Sequence, residues 1–154
     1  MNDDHDLNEP LWLKTLRRYL VFVVLANLAW EFAQMPLYTI WETSSRSEIV
    51  FAAMHCALGD VIIATMALVL AVLLAGDARW PCVGHVRVAV LTTFAGVAYT
   101  VFSEWINLVV RASWAYAPAM PVLPLLGIGL SPLMQWLVIP PLGLWIARHS
   151  APTH

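Results

Sequence analysis

Four long apolar segments constrain this chain more than anything else in it. They cover roughly 19–39, 49–75, 87–110 and 122–147. A helix needs about 20 mostly apolar residues to cross the hydrocarbon core of a bilayer, and each segment supplies them. Strands are not expected, because the runs lack period-two alternation and are too long for barrel strands. Charged residues make up 12% of the chain and hydrophobic ones 60%, where a soluble domain carries about 25% charge. The mean hydropathy is +0.72. A chain of 154 residues cannot hide that much apolar surface in a globular core. The expected fold is all-α: a single-domain, integral membrane four-helix bundle over residues 1–154, in the cell (inner or plasma) membrane.

The stretches between these segments have the composition of connectors. "TSSRSE" (43–48) is polar, "GDARWPCVGH" (76–85) carries Gly, Pro and charge, and "ASWAYAPAMP" (112–121) is rich in aromatics and proline. Trp41, Trp80, Trp114 and Tyr116 suit the lipid–water boundary. The first apolar run is too long for a cleaved signal, and no A-x-A site follows it, so an uncleaved anchor is expected. The acidic leader "MNDDHDLNEP" is expected to fray, and "LWLKTLRRYL" (11–20) to lie partly along the membrane surface before turning in. Lys14, Arg17, Arg18, Arg79, Arg87 and Arg148 fall on one side of such a bundle, and Arg46 and Arg111 on the other. Six against two predicts that both termini are cytoplasmic. The net charge of −2 and the lack of a basic tract exclude a nucleic-acid partner.

Acids inside the apolar segments raise the functional question. "TVFSEWINLVV" (100–110) holds Glu104 among apolar residues on both sides. Residues three or four apart share a helical face. Asn27, Glu31, Gln34 and Tyr38 follow steps of four, three and four, and fall within an arc of roughly 60° at about 100° per residue. Thr100, Glu104, Asn107 and Arg111 follow the same steps, and Gly96 extends their line. Gly127, Ser131 and Gln135 are spaced by four. His55 and Asp60 are five apart, about 140° around the axis, so they address different neighbours. Cys56 shares a face with Asp60. An acid at mid-membrane costs roughly 2.5–3.5 kcal/mol on insertion scales. Glu31, Asp60 and Glu104 facing lipid would therefore cost on the order of 8–10 kcal/mol together. The stripes are predicted to face the bundle interior.

Depth counted from the ends of the segments puts Glu31, His55 and Glu104 in the same outer half of the bilayer, with Asp60 nearer the middle. The expected site is Glu31, His55 and Glu104, joined by Asp60 as a deeper partner and supported by Gln34, Asn107, Ser131 and Gln135. Amides and hydroxyls on such stripes also serve as plain glue between helices, worth about 0.6 kcal/mol per contact. Acids are a costly choice for glue, which favours function.

Several functions fit this pattern. The leading expectation is a site that binds or translocates a small ligand, a proton or a metal ion. Glu31, His55 and Glu104 are candidate ligands for a divalent metal such as Zn²⁺, Fe²⁺ or Mn²⁺. The E-x-x-H pairs of di-iron bundles are absent. A bis-histidine haem is not expected, since His55 is the one histidine well inside a segment. "GIGLSP" (127–132) and "IPP" (139–141) predict an interrupted fourth helix, a feature that borders ion sites in transporters. A second reading is a membrane-embedded enzyme acting on a lipid-soluble substrate, with Glu104 and His55 as acid and base. A third is an accessory subunit of a larger membrane complex. Homo-oligomerisation or a larger partner fits all three. No HExxH, GxSxG or CxxC motif points to a hydrolase or a thiol oxidoreductase. Cys56 and Cys82 are expected on opposite faces of the membrane, unpaired.

Overall fold

A computed structural model describes residues 9–149. The expectation that the acidic leader frays falls on residues 1–8, outside the described residues. Glu9 pairs with Arg17 at 3.2 Å.

The chain is mostly helical. Helix α1 runs Leu11–Gln34 and continues through a 3-10 turn, Met35–Leu37. A short α2 (Ile40–Thr43) leads to α3 (Arg46–Ala75), and α4 (His85–Trp105) continues into a π-helical turn, Ile106–Val110. Strands β1 (Val122–Leu123) and β2 (Ile128–Gly129) form a small antiparallel hairpin before α5 (Leu130–His149). Four of these helices are long and apolar enough to cross a membrane.

Each long helix packs on two others, in the ring order α1, α3, α4, α5 and back to α1. Neighbours run antiparallel. The Gln34 end of α1 meets the Ser131 end of α5, and Gly143 lies against Tyr19 and Phe22. One end of the bundle therefore gathers Leu11, the 76–84 connection and His149. The other gathers the 35–45 and 106–129 connections.

Local sequence explains the boundaries. Ser45 and Glu48 form a reciprocal capping box at the start of α3, with Ser45 N–H donating to Glu48 Oε2 at 2.8 Å. The buried face of α3 is nearly all alanine: Ala53, Ala57, Ala64, Ala67 and Ala71. Small side chains let helix backbones approach closely. Large apolar residues point outward instead, among them Phe51, Leu73, Leu74 and Phe94, each at least 70% exposed. The apolar core (Tyr19, Leu68, Trp80, Val88, Trp136, Leu144) occupies the half of the bundle nearer the chain ends.

Two expectations need correction. Residues 11–20 do not turn along a surface. They are the first turns of a continuous α1, and Thr15 and Tyr19 are fully buried on the same four-residue stripe as Val23, Asn27 and Glu31. The fourth helix does not begin at 122. Pro121 and Pro124 remove backbone donors and Gly127 turns with φ +67, so this stretch folds as the hairpin. The helix that follows is unbroken from Leu130, with Pro140 and Pro141 inside it. Trp80, in the 76–84 connection at the bundle end, is buried against the core.

Candidate functional site

The polar stripes of α1 and α5 meet and hydrogen-bond across the bundle. Gln135 is the hub. Its side-chain amide N–H₂ donates towards Asn27 Oδ1 at 2.8 Å, Asp60 Oδ2 at 2.8 Å and Glu31 Oε1 at 3.1 Å. Two N–H groups serve three acceptors, so one of these contacts is shared. Gln34 donates to Glu31 Oε1 at 2.7 Å and accepts from the Ser131 hydroxyl at 2.8 Å. Trp30 Nε1–H in turn donates to Ser131 Oγ at 3.3 Å. The Glu31 and Asp60 carboxyls thus meet at one amide, Gln135 Nε2, which donates to both.

Glu104 stands across from this network. It is buried on the α4 stripe with Gly96 and Thr100. Tyr116 O–H donates to Glu104 Oε2, and Tyr116 Oη accepts from Gly129 N–H at 2.7 Å. The Trp114 indole N–H is buried beside the same carboxyl without a well-formed hydrogen bond. Backbone bonds from Thr39 N to Ala115 O (3.0 Å) and from Ala117 N to Leu37 O (2.9 Å) fasten this loop over the end of the bundle. Tyr38 packs on Tyr116 with ring centroids 5.5 Å apart. Both phenols titrate above the usual 10.0. For Tyr116 the causes are burial and then its bond to Glu104; for Tyr38 they are burial and then the charge of Glu104.

Between the two halves lies a cavity of about 380 Å³. Glu31, Asp60, Glu104, Gln34, Gln135 and His55 all line it, with Cys56, Trp114 and Trp136. Its wall on α1 and α5 is closed, since Glu31, Gln34, Gln135 and Trp136 are buried. The exposed lining residues are Phe51 and His55 of α3, Tyr99 of α4 and Ser113 of the loop. The mouth thus opens sideways between α3 and α4. A Cβ built at Gly59, beside it, meets no atom within 4 Å.

No protein-family model, curated protein or solved structure matches the chain.

The site differs from its sequence-based outline in three places. His55 is exposed at the mouth and stacks on Phe51, with centroids 5.9 Å apart; Asp60, and not His55, meets Glu31. Asn107 leaves the α4 stripe. The π turn places it beside its own helix, where its amide donates to Ser103 O at 2.9 Å, and Arg111 is exposed beyond it. Gly127 lies in the hairpin, off the line of Ser131 and Gln135. For metal ligation, no group of three His, Cys, Asp or Glu side chains converges among the described residues, so Glu31, His55 and Glu104 share a cavity without forming a ligand set. Cys56 lines the cavity and Cys82 is exposed at the other end; both are free.

Asn27, Trp114 and Tyr116 join the site without having been singled out for it. The stripe spacing already contained Asn27. Tyr116 carried no signal, because its contact with Glu104 depends on the path of an irregular loop.

Proposed function

We propose that this chain is a multi-pass membrane protein, with both termini cytoplasmic, whose intramembrane pocket binds a small lipid-soluble ligand and exchanges protons with it. The observation that carries the reading is that carboxyls from three helices, Glu31, Asp60 and Glu104, line one cavity with a sideways mouth. Its volume of about 380 Å³ falls within the range of small-molecule pockets, about 300–1,000 Å³. The ion pairs Arg17–Glu9 and Arg79–Asp77 lie at the bundle end away from it. The acids are held by amides and a phenol, which leaves their charge and protons for a ligand. Phe51, Tyr99, Trp114 and Trp136 supply apolar walls for the ligand body.

The topology rests on charge. The bundle end with both termini holds Lys14, Arg17, Arg18, Arg79, Arg87 and Arg148, and the site end holds Arg46 and Arg111. The positive-inside rule puts the first end in the cytoplasm and the pocket in the outer half of the membrane. Translocation through four helices calls for more wall than one chain supplies, so a transport role goes with a second copy or a larger partner.

One observation favours an enzymatic reading. The Tyr116–Glu104 contact sets a proton-carrying pair at the pocket wall, and paired acid and base groups do chemistry when their environments differ.

The test is capture. Purified protein is loaded with a total membrane lipid extract and examined by native mass spectrometry. Wild type is expected to retain a small molecule in one-to-one ratio, and Asp60→Asn and Gly59→Trp to lose it. Retention unaffected by both substitutions would refute the reading. Chemical conversion of the retained molecule by wild type, absent in Tyr116→Phe, would move the assignment to the enzyme.

A further inference from the structure

A second concavity lies at the opposite end of the bundle, between α4 and α5, with a volume of about 640 Å³. Its floor is apolar along its length, through Val90, Phe94, Val97, Leu137 and Pro141, and it ends at His85, Arg148 and His149. Among the described residues, no carboxylate lines it. We propose that this groove holds one anionic phospholipid, with an acyl chain along α4 and α5 and the phosphate at His85, Arg148 and His149.

Three observations support that occupant. The first is the distribution of charge: an apolar slot closed at one end by basic side chains complements a molecule with an apolar tail and an anionic head. Basic pockets between transmembrane helices on the cytoplasmic side recognise anionic headgroups in this way. The second is an unmet hydrogen-bonding demand. His85 is only 9% exposed, yet its Nδ1 has no partner among the described residues. A lipid phosphate oxygen is an acceptor for it, the imidazole donating in its Nδ1–H form. The third is length. From His85 to Val97 the helix rises about 18 Å at about 1.5 Å per residue. One leaflet of a hydrocarbon core about 30 Å thick is about 15 Å deep, so one chain of a single leaflet fills the groove. Arg148 and His149 lie close enough to His85 to act on it electrostatically. His149 is steadied by a bond between Nδ1 and Trp145 O at 2.8 Å and by a tilted contact with the Trp145 ring, centroids 4.8 Å apart.

This site is independent of the carboxyl pocket and of its ligand. The experiment uses full-length protein in mild detergent, titrated with phosphatidylglycerol or phosphatidylcholine of identical chains and read by native mass spectrometry. One phosphatidylglycerol is expected to be retained at about one-tenth the concentration needed for phosphatidylcholine, the order set by one or two basic side chains near a phosphate. Arg148→Gln, at an exposed position, is expected to remove the preference. Val90→Trp, also exposed and with the charges intact, is expected to block retention of both lipids. Equal retention of the two lipids by wild type would overturn the proposal, and that comparison needs no variant. So would a preference that survives Arg148→Gln, displacement by glycerophosphoglycerol lacking chains at equal concentration, or protection of the groove by dimerisation with no lipid bound.

Discussion

Two glycines in the bundle allow a matched test of the packing around the pocket. Gly59 and Gly96 both lie inside long helices, α3 and α4. Replacing a helical glycine with alanine gains about 1 kcal/mol in propensity, so both substitutions start with the same credit. Their surroundings differ. A Cβ at Gly59 meets nothing within 4 Å, whereas one at Gly96 falls 2.0 Å from Trp136 Cε3 and 2.5 Å from Cζ3. To reach an ordinary contact of 3.4 Å the indole must retreat by more than an ångström. Trp136 is 4% exposed, packed in the core and forming part of the pocket wall, so its retreat is resisted. Overpacking of this kind costs about 1–3 kcal/mol. Because the propensity gain is common to both, the two alanine variants should differ in stability by that same amount, with Gly59→Ala the more stable. Unfolding in mixed micelles with increasing SDS, followed by far-ultraviolet circular dichroism, measures the gap. A cycle with Trp136→Leu should recover most of the loss in Gly96→Ala, since the clashing ring is gone. Equal stability of the two alanine variants would refute the close approach of α4 and α5 described here.

Three further expectations follow from the site. Gln135→Leu removes the hub that ties α5 to α1 and α3. Two hydrogen bonds at the membrane average of about 0.6 kcal/mol each give about 1.2 kcal/mol, and two at the observed ceiling of about 1.7 give about 3.4, so the loss in the same unfolding assay should lie between these. Tyr38 and Tyr116 titrate above 10.0 in the folded protein. The unfolded chain therefore loses these protons first, and the stability they contribute is intact below pH 10 and declines as pH rises beyond it. Tyr116→Phe should flatten that alkaline decline, read from unfolding midpoints at increasing pH. Cys82 is exposed in the 76–84 connection, and a charged, membrane-impermeant maleimide should label it in Cys56→Ser protein only after the cells are opened. Labelling in intact cells would invert the proposed topology.

Much of this fold was legible because helices long and apolar enough to cross a membrane write their length and their faces directly into sequence. The α1 stripe of Asn27, Glu31 and Gln34 and the α4 stripe of Gly96, Thr100 and Glu104 are buried as their spacing requires. The α4 stripe failed only where the helix stopped being α-helical: the π turn changes the angle per residue, so Asn107 and Arg111 fall out of line. In α5 the spacing of Ser131 and Gln135 held, but Gly127 belonged to a turn set by two prolines and its own positive φ. His55 and Asp60 illustrate a different failure. Their divergence was readable, but both were expected at the site, and the alanines, which mark the buried face, were not used to separate them. Ala53, Ala57 and Ala64 mark the buried face of α3, and Asp60 continues their steps of four, three and four, while His55 lies off it. Tyr116 reaches Glu104 through loop geometry, for which a single sequence has no periodicity to read.

The claim on which the site depends is that Glu31 and Asp60, on separate helices, meet inside the bundle while His55 faces out. A double-mutant cycle of Glu31→Gln and Asp60→Asn, measured by unfolding in micelles, tests it directly. The account predicts a coupling of at least about 0.5 kcal/mol for that pair and additivity within about 0.3 kcal/mol for Glu31→Gln combined with His55→Gln. Additive effects at Glu31 and Asp60, or stronger coupling of Glu31 to His55, would contradict it.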